Sequence, residues 1–308
     1  MGITLLEANK LRGGDVYANA ITEIYAKSAD ILRVLPFMNI AGNAYHYSVE
    51  DTLPSIAFRG INASWTASTG VVNPQTEHLT ISGGELDVDR MLVNTQGAHV
   101  RATHEAMKVK HLAQYWAYRF IKGDTTTTSA EFDGLQQRLT GAQLISEGST
   151  SGGDPLQLAN LDLLVDSVVE PGYLMMSRAM RRLLTVAART TSVGGQIDYV
   201  LDEFGRQVAR YAGLPILIAD NLTDVYTTLA FDEAAAGGGT TATSIYCLSL
   251  GDGMLQGIQN APPDVNDLGE ISASPVFRTR VEWYTSILLE HPKAAARLYG
   301  ISNAPVEA

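Results

Sequence analysis

The sequence predicts an α+β protein built around one long helix, and three observations predict it. The stretch GAHVRATHEAMKVKHLAQYWAYRFIKG, from Gly97 to Gly123, repeats Ala102, Ala106, Val109, Ala113, Trp116 and Phe120 at steps of four and three, which lines one stripe of an α-helix. Before it, Tyr45, Tyr47 and Val49 alternate with small or polar residues. After it, Phe277, Thr279, Val281 and Trp283 alternate with Arg278, Arg280 and Glu282, the pattern of a half-buried strand. The helix would span roughly 35–40 Å at 1.5 Å per residue, with Lys122 and Gly123 as its stop. Arg101, Glu105, Lys108 and Arg119 fall largely off its apolar stripe.

The chain has 308 residues, enough for one elaborate domain or two modest ones, and 45% are apolar, enough for a substantial core. Its net charge is −11, with only 6 Lys and 16 Arg, and these are scattered. That argues against a nucleic-acid-binding protein, which needs clustered cations. The single cysteine, Cys247, lies in the apolar run SIYCLSL and reads as a buried, inert thiol. The N-terminus has no signal-peptide pattern, Leu6 stands where a myristoylation motif wants Ser or Thr, no apolar run approaches ~18 residues, and there is no internal repeat. No membrane contact is expected.

Residues 1–40 read as an arm. Its amphipathic helix carries Ile21, Ile24, Tyr25, Ile31, Leu32 and Leu35, is capped by Asp15 and ends at Pro36. A narrow apolar face of this kind needs a surface, from its own chain or a neighbour. Residues 41–82 read as a long two-stranded excursion, with AYHYSVED, SIAFRGI and EHLTISGGELDV as strand sequence around the polar INASWTASTGVVNPQTE. Lone hairpins are marginal in water, so this one needs outside support. Phe58 and Trp65 are the candidate anchors, since aromatic residues concentrate at interface centres.

Beyond the helix, FDGL starts a new packed piece and EGSTSGGDP (147–155) reads as a flexible linker. A helix capped by Asn160 is expected to Val169. PGYLMM is a turn and strand, and SRAMRRLLTVAARTT is a helix capped by Ser177. GQIDYVLDEF, QVARYAG and LPILIADNL read as strands, the last a central one, and AAAGGGTTATS as a mobile tip. IYCLSLGDGMLQGIQ reads as two strands across a Gly-Asp-Gly turn.

Chemistry-bearing clusters are sparse. His99, His104 and His111 lie near one another in sequence. His104 and His111 are two helical turns apart, not at the i, i+3 or i+4 spacing of metal ligands, so surface or interface histidines are expected. Glu85, Asp87 and Asp89 share one strand face, which suits a solvated surface better than a cation site. GxSxG, GxxxxGKS and a GxGxxG after a strand are all missing. No acid, base and nucleophile converge. No catalytic residue, metal or cofactor is expected, and a structural role is favoured.

The order of parts carries a resemblance. An amphipathic arm, a polar excursion, a long helix ending in IKGD, an FDGL segment, GYLMMSRAMRRLL, YAGLPILIADNL, IYCLSLGDGMLQGI and a final returning strand together resemble the major capsid proteins of tailed bacteriophages, the Hong Kong 97 fold. The resemblance implies an N-arm at 1–40, an E-loop at 41–82, a peripheral domain at 83–155 and 269–308 with the spine helix 97–123, and an axial domain at 156–268. It implies a non-enzymatic shell protein, forming hexamers and pentamers of an icosahedral capsid around phage DNA without sequence-specific binding. Expected intersubunit contacts are Tyr25, Leu32, Tyr45, Tyr47, Phe58, Arg59 and Trp65.

With about 40 residues ahead of the E-loop there is no room for a fused scaffolding domain, so a separate scaffolding protein is implied, along with a portal protein. Lys is absent between Lys27 and Lys108. Hence no Lys–Asn crosslink from the E-loop is expected, and contacts are non-covalent or helped by a decoration protein. Two rival readings remain at this point. One is an encapsulin-type nanocompartment shell. The other is a metal-dependent hydrolase using Asp87, Asp89 and a histidine.

Overall fold

The structure is a computed structural model that describes residues 3–4, 29–97, 99–189, 197–201, 207–219 and 226–307. Tyr25, the Asp15 cap and most of the expected arm helix lie outside the described residues.

Two sheets organise the chain. The first is six-stranded: β1 (Ile3–Thr4), β2 (Pro36–Asn39), β12 (Leu255–Gln259), β14 (Val276–Leu289) and β13 (Asp264–Glu270), with β5 (Thr80–Asp89) on the other side of β14. The second is seven-stranded, in the order β6 (Leu144–Ser146), β15 (Ala295–Ile301), β11 (Thr243–Leu248), β7 (Tyr173–Met176), β10 (Leu214–Ile218), β9 (Gln207–Tyr211) and β8 (Ile197–Leu201). A separate antiparallel hairpin joins β3 (Ala44–Thr52) to β4 (Val71–His78). The helices are α1 (Asp30–Val34), α2 (Arg90–Gln96), α3 (His99–Lys122), α4 (Leu135–Arg138), α5 (Leu158–Asp166) and α6 (Arg178–Ala187).

The spine is α3. Gly97, at φ 93°, separates it from α2, a conformation that suits glycine. Val109, Leu112, Ala113, Trp116, Ala117, Phe120 and Ile121 form its buried face, as the periodicity predicts from Val109 onward. The first turns differ from expectation: Ala102 is exposed and Glu105 is buried. Glu105 is buried because it is partnered. The Thr279 hydroxyl donates to it at 2.7 Å, and Arg101 lies 3.1 Å away. Arg101 also pairs with Asp267, and its hydrogen bond, with that of the Gly269 amide, holds the Asp267 carboxyl below the usual range. This cluster ties the start of the spine to β13 and β14.

The core is centred on Trp116. Its ring meets Phe37 at 5.7 Å, Phe120 at 5.5 Å, Phe132 at 5.9 Å and Trp283 at 5.5 Å between centroids. Four distant pieces of sequence thereby pack together: the end of the arm, the spine, the FDGL segment and the final long strand. Leu32 is corrected here. With Ile31 and Leu35 it is fully buried in the chain's own core, so it has no surface left for a neighbour. The arm from Ala29 onward is part of the subunit, and Pro36 opens β2 after α1 ends at Val34.

Two glycines lock the end of the spine to the FDGL segment. A Cβ on Gly134 would lie 2.5 Å from the Ile121 carbonyl oxygen and 2.7 Å from that of Arg119. A Cβ on Gly123 would lie 2.3 Å from the Phe132 carbonyl oxygen. The Gly134 amide donates to the Gly123 carbonyl at 2.9 Å. Gly134→Ala is expected to destabilise the chain by about 3 kcal/mol, since the crowded atoms are backbone and cannot move aside. Thermal unfolding of the variant checks this.

Several expectations need correction. β11 and β12 flank the Gly-Asp-Gly turn but do not pair; they enter different sheets, so that turn is a crossing point between layers. β15 lies in the seven-stranded sheet, whereas β12 and β13 lie in the six-stranded one. The sheets therefore do not divide at 155/156 and 268/269. The 147–155 stretch and the AAAGGG stretch pin each other. The Gly152 amide donates to the Gly238 carbonyl at 2.8 Å, and a Cβ on Gly237 would sit 1.9 Å from the Ser149 carbonyl oxygen. Asn160 lies inside α5, whose N-cap is Gln157. The Ser177 cap stands as expected, its Oγ accepting from the Met180 amide at 3.2 Å.

Glu147 takes over the capping of α5 from a distance, accepting from the Gln157 amide at 2.6 Å and from Asn160 Nδ2 at 3.2 Å. Burial, with Asp154 and Glu307 nearby, raises its carboxyl above the ordinary value despite these two bonds. A carboxyl raised in the folded state favours folding below its unfolded value, and that contribution is lost as the pH rises through the folded value. Glu147→Gln is therefore expected to raise the midpoint temperature at pH 7 more than at pH 4, measured by calorimetry at both.

Candidate assembly surfaces

The hairpin is anchored at its root and bare at its tip. At the root, Arg138 donates two hydrogen bonds to Glu77, one of them at 2.8 Å through Nη2. The Tyr47 hydroxyl donates to the Leu289 carbonyl at 3.4 Å. The Tyr45 ring stacks on Tyr47 with centroids 6.2 Å apart, and burial beside Glu290 raises the Tyr45 hydroxyl pKa. Both tyrosines thus brace the hairpin against the chain's own body and keep part of their surface exposed.

At the tip, residues 53–70 form no strand. The strand expected at SIAFRGI is corrected here: its alternation is that of a strand, but nothing pairs with it. The tip still holds a defined shape. The Arg59 guanidinium lies 4.4 Å above the Trp65 ring, Trp65 Nε1 donates to the Ala57 carbonyl at 2.9 Å, and Arg59 Nη1 donates to the Ala63 carbonyl at 2.9 Å. Ser55 and Ser68 bond across it at 2.9 Å. These bonds leave Phe58 fully exposed, with Ile56 97% and Ile61 96% exposed, while Trp65 keeps 63% of its surface. Ile56 and Ile61 are not among the contact residues expected from the sequence. Ile56 shares the alternation of Phe58 and Ile61 falls on the opposite parity, and the polar residues around them hide the signal.

The outer face of the six-stranded sheet is a charge lattice. Arg278 Nε and Nη2 donate to Asp87, both at 2.7 Å, and Arg280 Nη2 donates to Glu85 at 2.6 Å. Asp89 caps α2, accepting from the Met91 amide at 2.6 Å. Hydrogen bonds from Arg278 hold the Asp87 carboxyl below the usual range. The acidic trio is thus taken up by the cross-strand arginines and a helix cap, and such exposed pairs each contribute little to stability.

Residues 13–153 match the family described as Major capsid protein GP7. The fold is shared along almost the whole chain with solved structures. A Mycobacterium phage Adephagia structure matches with a TM-score of 0.64 at 11% identity, covering 90% of each chain. The capsid of a native GTA particle matches at 0.63 and 15%, covering 89% of this chain and 91% of that one. A holo encapsulin complex from Synechococcus elongatus matches at 0.62 and 17%, covering 90% and 89%. No curated protein sequence matches.

This chain has the Hong Kong 97-like fold.

The remaining chemistry-bearing residues do not converge among the described residues. Cys247 is buried, and burial pushes its thiol up to about 12, so it is not a nucleophile at neutral pH. His99, His104 and His111 are exposed on the spine, with the His111 ring 5.6 Å from Tyr226. Among the described residues, no group of three His, Cys, Asp or Glu side chains is placed to hold a metal ion, and no helix is long and apolar enough to cross a membrane.

Proposed function

We propose that copies of this chain form the hexamers and pentamers of an icosahedral shell that encloses phage DNA. The observation that carries this reading is the hairpin: rooted in the subunit core, it presents fully exposed Phe58, with Ile56 and Ile61, at an end that its own chain does not cover. Exposed apolar clusters of this kind mark interaction sites. In this reading residues 1–40 are the N-arm and 41–82 the E-loop. The six-stranded sheet with the spine is the peripheral domain, and the seven-stranded sheet is the axial domain. Tyr45, Tyr47, Phe58, Arg59 and Trp65 contribute to contacts between copies, as does Tyr25 from the arm. Around five- and six-fold axes such contacts are heterologous and close into rings, and many modest ones add up.

A separate scaffolding protein, a portal protein and a decoration protein complete the particle, which is assembled in the host cytoplasm. The net charge of −11 suits a container whose DNA must leave again. Sedimentation of the purified chain with its scaffolding protein tests the reading: megadalton particles or capsomers are expected, and a discrete monomer or dimer would contradict it. The likeness to an encapsulin supports a second reading, a shell around cargo enzymes. Particles that copurify with an enzyme and hold no DNA would favour it.

A further inference from the structure

The net charge of −11 conceals one basic surface. Across much of the subunit the arginines are taken up by carboxylates: Arg90 by Glu270, Arg119 by Glu131, Arg138 by Glu77, Arg278 by Asp87 and Arg297 by Glu233. Helix α6 differs. The stretch from Ser177 to Arg189 carries four arginines and no Asp or Glu. Among the described residues, none of Arg178, Arg181, Arg182 and Arg189 pairs with a carboxylate. Arg178 and Arg182 stand at i and i+4, where like charges weaken a helix unless an outside anion neutralises them.

Met180, Leu184 and Ala187 hold α6 on the core of the seven-stranded sheet. The basic row lies on the opposite side. At about 100° per residue, Arg178, Arg182 and Arg189 fall within about 40° of arc. Ala188, at φ −59° and ψ −22°, carries the helical path on to Arg189. Arg182 and Arg189 are exposed. Arg181 flanks the row, and its Nε is buried with no acceptor among the described residues. The row is about 17 Å long at 1.5 Å per residue, close to the rise of about five base pairs of B-DNA. Thr185 stands within it, and Val186 at its rim is the one exposed large apolar side chain of the helix, so an acidic peptide would find little to bury there.

We infer that the outer face of α6 holds the phosphate backbone of the packaged DNA through Arg178, Arg182 and Arg189, and that this face lines the interior of the shell. The inference rests on the shell reading and deepens it by naming the surface that meets the DNA. Guanidinium forks match phosphate oxygens in pairs. The contact is blind to sequence, because phosphates carry none. Three cations per copy give a weak hold, with a slope of about −2.7 in log affinity against log salt. Many copies add such holds together, while the acidic remainder of the chain keeps the DNA from adhering elsewhere.

Titrating a short fluorescent duplex of arbitrary sequence with the purified full chain tests this. Affinity is expected to fall about 40-fold between 50 and 200 mM salt. Arg178→Gln, Arg182→Gln and Arg189→Gln combined are expected to weaken binding at low salt by about tenfold or more and to remove most of the slope. The melting temperature should stay nearly unchanged, since these side chains make no ion pair within the subunit. Arg90→Gln, Arg278→Gln and Arg280→Gln combined make the same change of charge on paired arginines, and binding should stay within about twofold of wild type. A helix variant that binds the duplex as tightly as wild type, or particles imaged with α6 on the exterior, overturn the inference and leave the shell reading standing. A wild-type chain that binds polyglutamate more tightly than the duplex overturns the assignment to DNA in favour of an acidic protein. A wild-type chain that forms neither particles nor capsomers overturns the shell reading and the inference together.

Discussion

Trp116→Ala is expected to destabilise the subunit by about 4 kcal/mol, because the lost ring leaves a cavity that Phe37, Phe120, Phe132 and Trp283 cannot all collapse into. For a chain of this size that lowers the melting temperature by about 10 °C. The ring acts through packing: its Nε1 is buried without an acceptor among the described residues. Trp116→Phe should therefore recover much of the loss. Trp65→Ala is the contrast. Its ring stands at the tip, so subunit stability should change by less than about 1 kcal/mol, while particle yield falls. Calorimetry on the subunit, paired with sedimentation of particles, separates the two kinds of tryptophan.

Arg297→Ala is expected to cost a similar amount, about 4 kcal/mol, for an electrostatic reason. Arg297 on β15 is 7% exposed and donates to Glu233 at 2.9 Å and to Ser244 at 3.0 Å. Glu233 is 4% exposed, and its Oε1 has no partner among the described residues. Removing the guanidinium leaves the Glu233 carboxylate buried with no opposite charge, only the Ser244 hydroxyl donating to it. Replacing both Arg297 and Glu233 with Met should recover more than half of the loss, since a buried pair exchanged for apolar side chains is often close to neutral. Chemical denaturation of the single and double variants reads this directly.

The spine and the final strand are legible in the sequence because each has a strict period over many residues. Their partners are less so. The alternation of Glu85, Asp87 and Asp89 reveals a shared face but not that Arg278 and Arg280 stand across from it, since 191 residues separate Asp87 from Arg278. Glu105 looks like a surface residue because helical spacing cannot show that Thr279 and Arg101 will satisfy its carboxylate. Leu32 is misplaced onto a neighbour because a narrow apolar face does not say whose surface covers it; here it is the chain's own core. The glycine-rich stretches at 147–155 and 234–244 read as flexible because composition records freedom but not close approach, and each is the other's packing partner. At the tip, composition points to Phe58 and Trp65, while the alternation that includes Ile56 is hidden by the polar residues around it.

Electron microscopy of the purified protein, alone and with a candidate scaffolding protein added, tests the central claim most directly. Closed polyhedral shells with rings of five and six subunits are the expected image, each hairpin reaching onto the next copy. Small discrete oligomers in which residues 53–65 fold back onto their own subunit would contradict the account.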